Sequence, residues 1–174
     1  MNAPLRGSKG TLLEGGVRVP FTMTWPNGIK AGTTFDQPIS SLDLTPTFVE
    51  LAGGKITDKD NLDGVNILPF IKGDESSRPH DNMKWRFTIS ASIREGDWKL
   101  IRLPDRLPLL FNVKNDIAEQ FNLADQNRAR VVRMLKKLGD WDISRPQMLY
   151  LEGSKWRREQ VDLYDRKYQL TQPE

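Results

Sequence analysis

The stretch NAPLRGSKGTLLEGGVRVP, residues 2–20, contains four glycines, three basic residues and one acidic residue, and it leads into the apolar segment 21–25. Glycine adopts positive φ readily and lets another backbone approach closely, so this composition predicts a tightly turned loop around Lys9. Exposed backbone N–H groups beside a lysine suit an oxyanion such as phosphate or sulfate. The alternative is an ordinary glycine-rich loop without a ligand.

Two familiar phosphate-binding loops are excluded. The Walker spacing G-x-x-x-x-G-K-[ST] is absent from the chain. A dinucleotide fingerprint is excluded as well, because no strand precedes these glycines in the sequence.

Composition narrows the class of protein. The 174 residues suffice for one domain or for a domain with a small appendage, and the hydrophobic fraction of 37% is low enough that part of the core is expected to rest on a partner surface or another segment. The 26 basic residues are interleaved with 23 acidic ones, and the net charge is only +3. This charge pattern does not indicate nucleic acid as a partner. The absence of cysteine excludes disulfides, thiolate metal sites and cysteine nucleophiles.

The sequence carries no membrane or export signal. No apolar run approaches the roughly 20 residues that span a bilayer, so we expect a soluble chain without a membrane partner. No signal peptide is visible, which leaves the localisation undetermined.

The first half of the chain reads as one strand followed by two helices. Apolar residues alternate over 17–25, which predicts a half-buried strand. A helix is predicted to open at Ser41, with Asp43 as its cap and Pro46 in its first turn, and to end at the glycine pair 53–54. A short apolar helix or turn follows at 67–71, and residues 74–84 read as a linker.

The second half reads as a small antiparallel sheet with a helix. We predict one strand through Phe87 and Ile93, a turn at 94–97, a returning strand at 98–101 and a third strand at 109–113. A helix is predicted over 125–139, closed by Gly139. Its apolar face comprises Val131, Val132, Leu135 and Leu138, and its basic face comprises Arg128, Arg130, Arg133, Lys136 and Lys137.

Three features leave functional alternatives open. Asp43 is interpreted as a helix cap, with a metal ligand or catalytic acid as the alternative. Histidine can serve as a catalytic base, but His80 has no paired nucleophile nearby, so a surface or structural role is favoured over catalysis. The basic face over 128–137 is typical of a solvated helix, with contact to an acidic polymer as the alternative.

A series of separate motifs occurs in one order along the chain. It comprises KGT (9–11), EGGVRVP (14–20), WP (25–26), SSLDLTPT (40–47), LDGV (62–65) and REGDWKL (94–100). In this order over residues 2–125, the chain resembles the C-terminal portion of the type I sulfatases, the formylglycine-dependent sulfuric ester hydrolases.

The resemblance implies an α/β fold, the C-terminal part of an alkaline-phosphatase-like sulfatase. Residues 1–73 would form the end of the large α/β domain, 74–84 a linker, 85–139 a small antiparallel sheet with a helix, and 140–174 a tail that wraps over other surfaces. The strand at 17–25 would then belong to a sheet whose other strands are mostly absent from this sequence, leaving an exposed apolar edge.

The resemblance also implies a chemistry of which this chain carries one part. Lys9 matches the family lysine that faces the sulfate group, so it is both the catalytic and the substrate-binding candidate. Glu14 and Arg18 are expected to be structural, paired with each other or with a missing half. The formylglycine motif C/S-x-P-S-R is absent, since SRP at 77–79 and at 144–146 is not followed by Ser-Arg.

The family's Ca²⁺ is implied, but its paired acidic ligands have no counterpart in this sequence. We therefore expect a sulfatase segment that is inactive alone and that acts on a sulfate ester, with sulfated carbohydrate as one substrate class, together with an N-terminal segment. The alternative is a non-catalytic module, derived from a sulfatase, that binds sulfated glycans or a partner chain.

Overall fold

A computed structural model describes residues 2–149, 153–161 and 163–164 of the chain. The chain forms two compact units, the first from residues 1–20 and 82–174 and the second from residues 21–81. The first unit contains α1 (Glu14–Val17), the strands β1–β4, α4 (Arg128–Ile143) and α5 (Ser154–Val161). The second contains α2 (Leu44–Leu51) and α3 (Leu68–Lys72). The family domain division at 74–84 stays a prediction.

The first unit is built on a four-stranded antiparallel sheet in the order β1-β2-β3-β4, so each strand pairs with its neighbour along the chain. The strands are β1 (Met83–Phe87), β2 (Ser90–Glu95), β3 (Trp98–Arg102) and β4 (Leu109–Asn112). The returning strand and the third strand of the sequence prediction correspond to β3 and β4. Short connections suffice for this topology, because antiparallel neighbours can be joined by a two-residue turn.

The single strand predicted from Phe87 to Ile93 is wrong, because the chain reverses inside it. Phe87 pairs with Ser90, and Thr88 and Ile89 form the turn between β1 and β2. Thr88 has a φ of 53°, a left-handed conformation that a β-branched residue rarely adopts. Hairpin turns are normally marked by Asn or Gly, so the apolar alternation concealed this one.

The two faces of the sheet have different partners, as the alternation of side chains along a strand requires. On one face Ile101 and Phe111 pack with Leu12, Leu13 and the buried Tyr164. On the other face the buried residues of strands and helix form a second cluster: Ala91, Ile93, Leu100, Leu110, Met134 and Leu138. We call these the loop face and the helix face of the sheet.

The helix α4 is longer than predicted and is rotated relative to the prediction. It continues past Gly139 to Ile143, because a glycine inside a helix costs only about 1 kcal/mol and Trp141 still packs against the helix-face cluster. Met134 and Leu138 are its buried residues, whereas Val132 is 67% exposed. Met134, and not Val132, therefore lies on the buried apolar face of α4.

The strand predicted at 17–25 is also wrong. Residue 17 ends α1, and among the described residues no strand pairs with 18–25. Arg18 does have extended backbone angles, φ −90° and ψ 130°. A strand also needs a partner strand for its ladder hydrogen bonds. The alternation of apolar residues therefore agrees with the extended backbone at Arg18 but does not indicate a strand of a sheet. Val19 is 73% exposed and Phe21 46% exposed.

The second unit agrees closely with the sequence prediction. Ser41–Asp43 forms a 3₁₀ turn that leads into α2, and Pro46 lies near the start of α2, as expected. Gly53 and Gly73 follow α2 and α3 with left-handed φ values of 81° and 84°, the conformation with which helices commonly end. Within the described part of the chain, no helix has the length and apolarity to cross a bilayer.

The tail predicted over 140–174 is helical in part and lies partly outside the described residues. Residues 140–143 belong to α4, and Ser154–Val161 forms α5. The Trp156 ring packs edge-on against Phe87 on the loop face, with a centroid distance of 5.5 Å.

Candidate functional site

The loop that carries Lys9 is held in shape by hydrogen bonds within residues 2–18. Gly15 N donates to Arg6 O at 2.7 Å, and Asn2 Nδ2 donates to Gly15 O at 2.8 Å. Gly7 and Gly10 have φ values of 84° and 90°, the left-handed conformation expected of glycines at this turn. Lys9 lies exposed at the turn between them. The backbone is therefore fixed while the cation remains accessible.

Gly15 and Gly16 lie where the loop backbone crosses itself. A Cβ on Gly16 would be 2.1 Å from Thr11 O, and one on Gly15 would be 2.5 Å from Arg6 O. Only a hydrogen fits in these gaps. The glycine pair of the EGGVRVP motif is therefore required by close backbone approach.

We expect Gly16→Ala to destabilise the first unit by about 1–3 kcal/mol, because the added methyl must displace the Thr11 carbonyl. Gly139→Ala is the matched control: a Cβ there meets nothing within 4 Å, and alanine is the better helix former, so a gain of about 0.5–1 kcal/mol is expected. Urea unfolding of both variants measures the difference. Equal stabilities would contradict the crossing described above.

The loop is attached to the sheet by buried charges. Lys99 Nζ, on β3, lies 2.8 Å from Glu14 Oε1 and 3.1 Å from Glu119 Oε1, and the side chains of Lys99 and Glu119 are fully buried. Glu14 is 2% exposed. Glu119 Oε2 also accepts a 2.6 Å hydrogen bond from Glu14 N. We call Glu14, Lys99 and Glu119 the buried charge cluster.

The carboxylate of Glu119 lies in an environment that disfavours its charged form. Burial raises the pKa of Glu119 above its ordinary value, and the proximity of Glu14 adds to this, although Lys99 and the Glu14 N–H oppose it. Arg94 Nη1 lies 3.5 Å from Glu14 Oε2 and supplies a second positive charge at the edge of the cluster. Buried charges are tolerated only when paired in this way. The cluster is consequently sensitive to the loss of any member.

Residues from the far end of the chain complete the attachment. Leu12 N donates to Tyr164 Oη at 2.7 Å, and burial raises the pKa of Tyr164 to about 12, so its hydroxyl stays protonated. Arg6 donates to Glu119 O at 2.5 Å and to Tyr164 O at 3.1 Å. A Cβ on Gly10 would be 3.0 Å from Trp156 Cη2. The Lys9 loop is thus packed between the sheet and two residues near the end of the described chain, Trp156 and Tyr164.

The expected ion pair between Glu14 and Arg18 does not form. Glu14 points into the protein toward Lys99, and Arg18 is exposed, its backbone N–H donating to Glu14 O at 2.8 Å. The i,i+4 spacing suggested a helical pair, but α1 is one turn long and the buried lysine is the nearer partner. Glu14 nevertheless has the structural role that the sequence indicated.

Asp43 and His80 form a pair that the sequence did not reveal. The fully buried Asp43 accepts from Ser40 N at 2.7 Å and from Val65 N at 2.9 Å. His80 Nε2 lies 2.9 Å from both of its carboxylate oxygens. Asp43 does cap, as the third residue of a capping box whose N-cap is Ser40. The geometry ties residues 40–43 to 65 and 80 and supports the structural interpretations of both residues.

The basic face of α4 is paired in part within the chain, where two carboxylates, Glu95 and Asp140, meet three of its five cations. Arg133 lies 2.8 Å from Glu95, and Lys137 pairs with the same carboxylate. Although burial would raise the pKa of Glu95, these two cations lower it overall. Lys136 pairs with Asp140, and Arg130 lies over the Trp98 ring at 4.2 Å. Two of the five cations have no carboxylate partner among these ion pairs, so contact of this face with an acidic polymer stays a prediction.

The described residues do not fit a calcium site. Nowhere in 2–149, 153–161 and 163–164 do three or more acidic or histidine side chains come together in a way that could hold a metal ion. The buried acids Glu14 and Glu119 face Lys99, a cation, rather than an open coordination position. No step of a mechanism is therefore assigned to a metal held by these residues.

Comparison with known proteins identifies the family. Residues 8–140 match the family described as N-sulphoglucosamine sulphohydrolase, C-terminal. The chain belongs to the sulfatase family, in its C-terminal portion. A Formosa agariphila sulfatase is 29% identical over 163 residues, covering 80% of this chain and 30% of the relative. The choline-sulfatase of Rhizobium meliloti is 34% identical over 130 residues, covering 71% of this chain and 24% of the relative.

Solved sulfatase structures give the fold. The crystal structure of Ps i-CgsB in complex with k-i-k-neocarrahexaose superposes with a TM-score of 0.77 at 31% identity, covering 97% of this chain and 39% of that one. PsFucS1 sulfatase from Pseudoalteromonas, at 20% identity, shares the fold with a TM-score of 0.65. The α/β, alkaline-phosphatase-like class predicted from sequence is confirmed. The chain spans less than a third of the curated relatives that it matches.

The sequence interpretation of this sulfatase segment missed the residues that hold its loop. Lys99 and Glu119 were not singled out, and Tyr164 was assigned only to a tail. One signal was present: Lys99 lies between Trp98 and Leu100 in a strand where the neighbours on its own face, such as Ile101, are buried. A lysine at an inward position of a strand indicates a buried acidic partner.

Proposed function

We propose that this chain is the C-terminal segment of a sulfatase that contributes Lys9 to a sulfate-ester site completed by another segment. The observation that best supports this proposal is the exposure of Lys9 on a loop whose backbone is fixed by the buried charge cluster and by Tyr164. A lysine ammonium held in this way is a point charge suited to an oxyanion. Its match to the KGT motif of the family supports the assignment.

The role proposed for Lys9 is electrostatic. Hydrolysis of a sulfate ester develops negative charge on the sulfate and on the bridging oxygen, and a preorganised cation stabilises that charge in the transition state. The nucleophile and any Ca²⁺ would come from another segment, which agrees with the absence of the C/S-x-P-S-R motif from this sequence. Val19, which follows α1 and is 73% exposed, is the kind of apolar residue that such a segment would cover.

The substrate class that we propose is a sulfated carbohydrate. The support is the likeness, over 97% of this chain, to Ps i-CgsB, a protein crystallised with k-i-k-neocarrahexaose. Aryl and other sulfate esters are the competing classes, since relatives with quite different printed names also match the chain, including human steryl-sulfatase at 35% identity over 80 residues. The non-catalytic module has less support, because Arg133, Lys136 and Lys137 on the basic face of α4 are already paired with carboxylates of the chain.

The direct test is an aryl sulfate hydrolysis assay on the purified 174-residue chain with calcium, beside Lys9→Ala. We expect no turnover above background from either protein, because the chain supplies a cation and no nucleophile. Turnover that disappears in Lys9→Ala would show that this chain assembles a complete site, and the proposal of a shared site would be wrong.

A further inference from the structure

An open cleft of about 590 Å³ lies in the first unit, away from the Lys9 loop. It is bounded by the β1–β2 turn, the end of β3 and the residues that follow α4. The lining residues that matter for its chemistry are Arg86, Arg102, Arg145, Asp142, Ile89 and Ile143.

The charged residues of the cleft are predominantly basic. Three arginines line it against one aspartate. Arg86 and Arg102 are partly exposed, 22% and 34% at the side chain. Arginine presents a planar set of donors that matches the oxygens of sulfate, phosphate and carboxylate groups. The cleft therefore favours an oxyanion over a cation.

Asp142 orients two of the arginines and is fully used in doing so. Arg86 Nη1 donates to Oδ1 at 3.1 Å, and Arg102 Nη2 donates to Oδ2 at 2.7 Å. Burial alone would raise the pKa of Asp142, but the hydrogen bonds from Arg102 and Arg86 outweigh it and hold the pKa below its ordinary value. Arg86 Nη2 also donates to Pro146 O at 2.9 Å. Since a guanidinium carries five N–H donors, both arginines retain donors beyond these contacts.

The third arginine and the apolar wall complete the site. Arg145 lies 5.9 Å from the centre of the Trp141 ring, and its Nε donates to Ser144 Oγ at 3.4 Å. Ile143 is 86% exposed and Ile89 is 37% exposed. An aliphatic wall beside oxyanion donors suits a ligand with both C–H surface and anionic groups.

The cleft and the Lys9 loop lie on opposite faces of the sheet. Arg86 and Arg102 face α4, whose Asp142 they contact, whereas the Lys9 loop packs on the face that carries Lys99 and Ile101. One sulfate group cannot reach both sites. A ligand that used both would have to be an extended chain with repeated anionic groups.

We propose that this cleft binds a sulfate group of a polysulfated carbohydrate chain, as a second contact separate from the Lys9 site. The choice of carbohydrate rests on the proposed function. The preference of the cleft for an oxyanion does not depend on the proposed function, because it follows from the arginines that line the cleft. The cleft would hold a polymeric substrate to the protein without taking part in hydrolysis.

Calorimetric titration of the 174-residue chain with a heparin-derived hexasaccharide at low ionic strength tests this inference. We expect Arg145→Gln to weaken binding roughly tenfold and Arg102→Gln/Arg145→Gln roughly a hundredfold, because each removes charge-assisted hydrogen bonds to sulfate. Lys136→Gln removes the same charge from an exposed position of α4 and is the matched control, with a change below about twofold. Arg145→Gln also guards against misfolding, since it leaves the Asp142 hydrogen bonds intact.

Each contrary result has a definite meaning. No binding by the wild type, or equal binding of a desulfated hexasaccharide, would overturn the inference. Hexaglutamate binding as tightly as the sulfated probe would also overturn it and indicate an acidic peptide as the ligand. Loss of binding in Lys9→Ala with the arginine variants unchanged would place the contact at the Lys9 loop, overturning the second site while leaving the proposed function standing.

Discussion

Lys99→Met is expected to destabilise the first unit by about 3–5 kcal/mol at neutral pH. The lysine lies between Glu14 and Glu119, all three of them at most 2% exposed, and methionine fills a similar volume without the charge. Removing one partner of a buried ion pair leaves the other charge buried and uncompensated, which is the source of the large cost. Urea unfolding followed by circular dichroism measures it.

The destabilisation should shrink as the pH falls. The pKa of Glu119 in the folded chain is raised above its ordinary value of 4.5, so the folded chain holds a proton that the unfolded chain has already released. Stability therefore decreases as the pH rises through the window from about 4.5 to the folded pKa. Without Lys99 that pKa rises further, and the penalty is largest above the window.

Two comparisons separate this explanation from simple loss of packing. Lys136→Met changes a side chain that is 75% exposed and should alter the stability by less than about 0.5 kcal/mol. The double variant Lys99→Met/Glu119→Gln should be less destabilised than the sum of the two single changes, because the carboxylate that lost its partner is also gone. A penalty that is independent of pH and additive would refute the electrostatic account.

The parts of the fold that follow local rules were accessible from sequence. The strands β3 and β4 were read from alternation and turn residues, and α2 from Pro46 and the glycines that follow it. In each case neighbouring residues determine the conformation. The family motifs added the fold class, which periodicity alone would not have given.

The failures arose where the conformation depends on distant residues or on an unusual backbone. Thr88 turns the chain with a positive φ that its residue type disfavours, so the β1–β2 hairpin had no turn signal. Segment 18–25 alternates like a strand but has no ladder partner among the described residues. The helix α4 continues past Gly139 because Trp141, beyond the glycine, packs against the helix-face cluster.

The residues of the candidate site also fall into those that the sequence could predict and those that it could not. Lys9 could be named because its motif is contiguous and its flanking glycines are diagnostic of a tight turn. Lys99 and Glu119 lie 85 and 105 residues from Glu14 along the chain, and only folding brings them together. His80 and Asp43 are separated by 37 residues, and the sequence did not indicate that they pair. Side-chain pairs at such separations leave no periodic trace in a single sequence.

The largest functional effect is expected from Lys9 in an assembled sulfatase. In a hybrid in which residues 2–174 replace the matching C-terminal segment of the Rhizobium meliloti choline-sulfatase, Lys9→Ala should lower kcat/KM by about 10²–10³-fold. This is the effect of removing one preorganised charge or donor from a developing anion. Release of sulfate from choline sulfate is the measurement.

The pattern of variants distinguishes a role at the reacting group from a general charge effect. Lys9→Arg should retain more activity than Lys9→Ala, since it keeps the positive charge but changes the shape and reach of the donor. Lys55→Ala removes an equally exposed lysine from a loop of the other unit and should leave kcat/KM within about twofold. An active hybrid that tolerates Lys9→Ala as well as Lys55→Ala would show that the loop presents Lys9 to solvent alone, and the sulfate-contacting role would have to be abandoned.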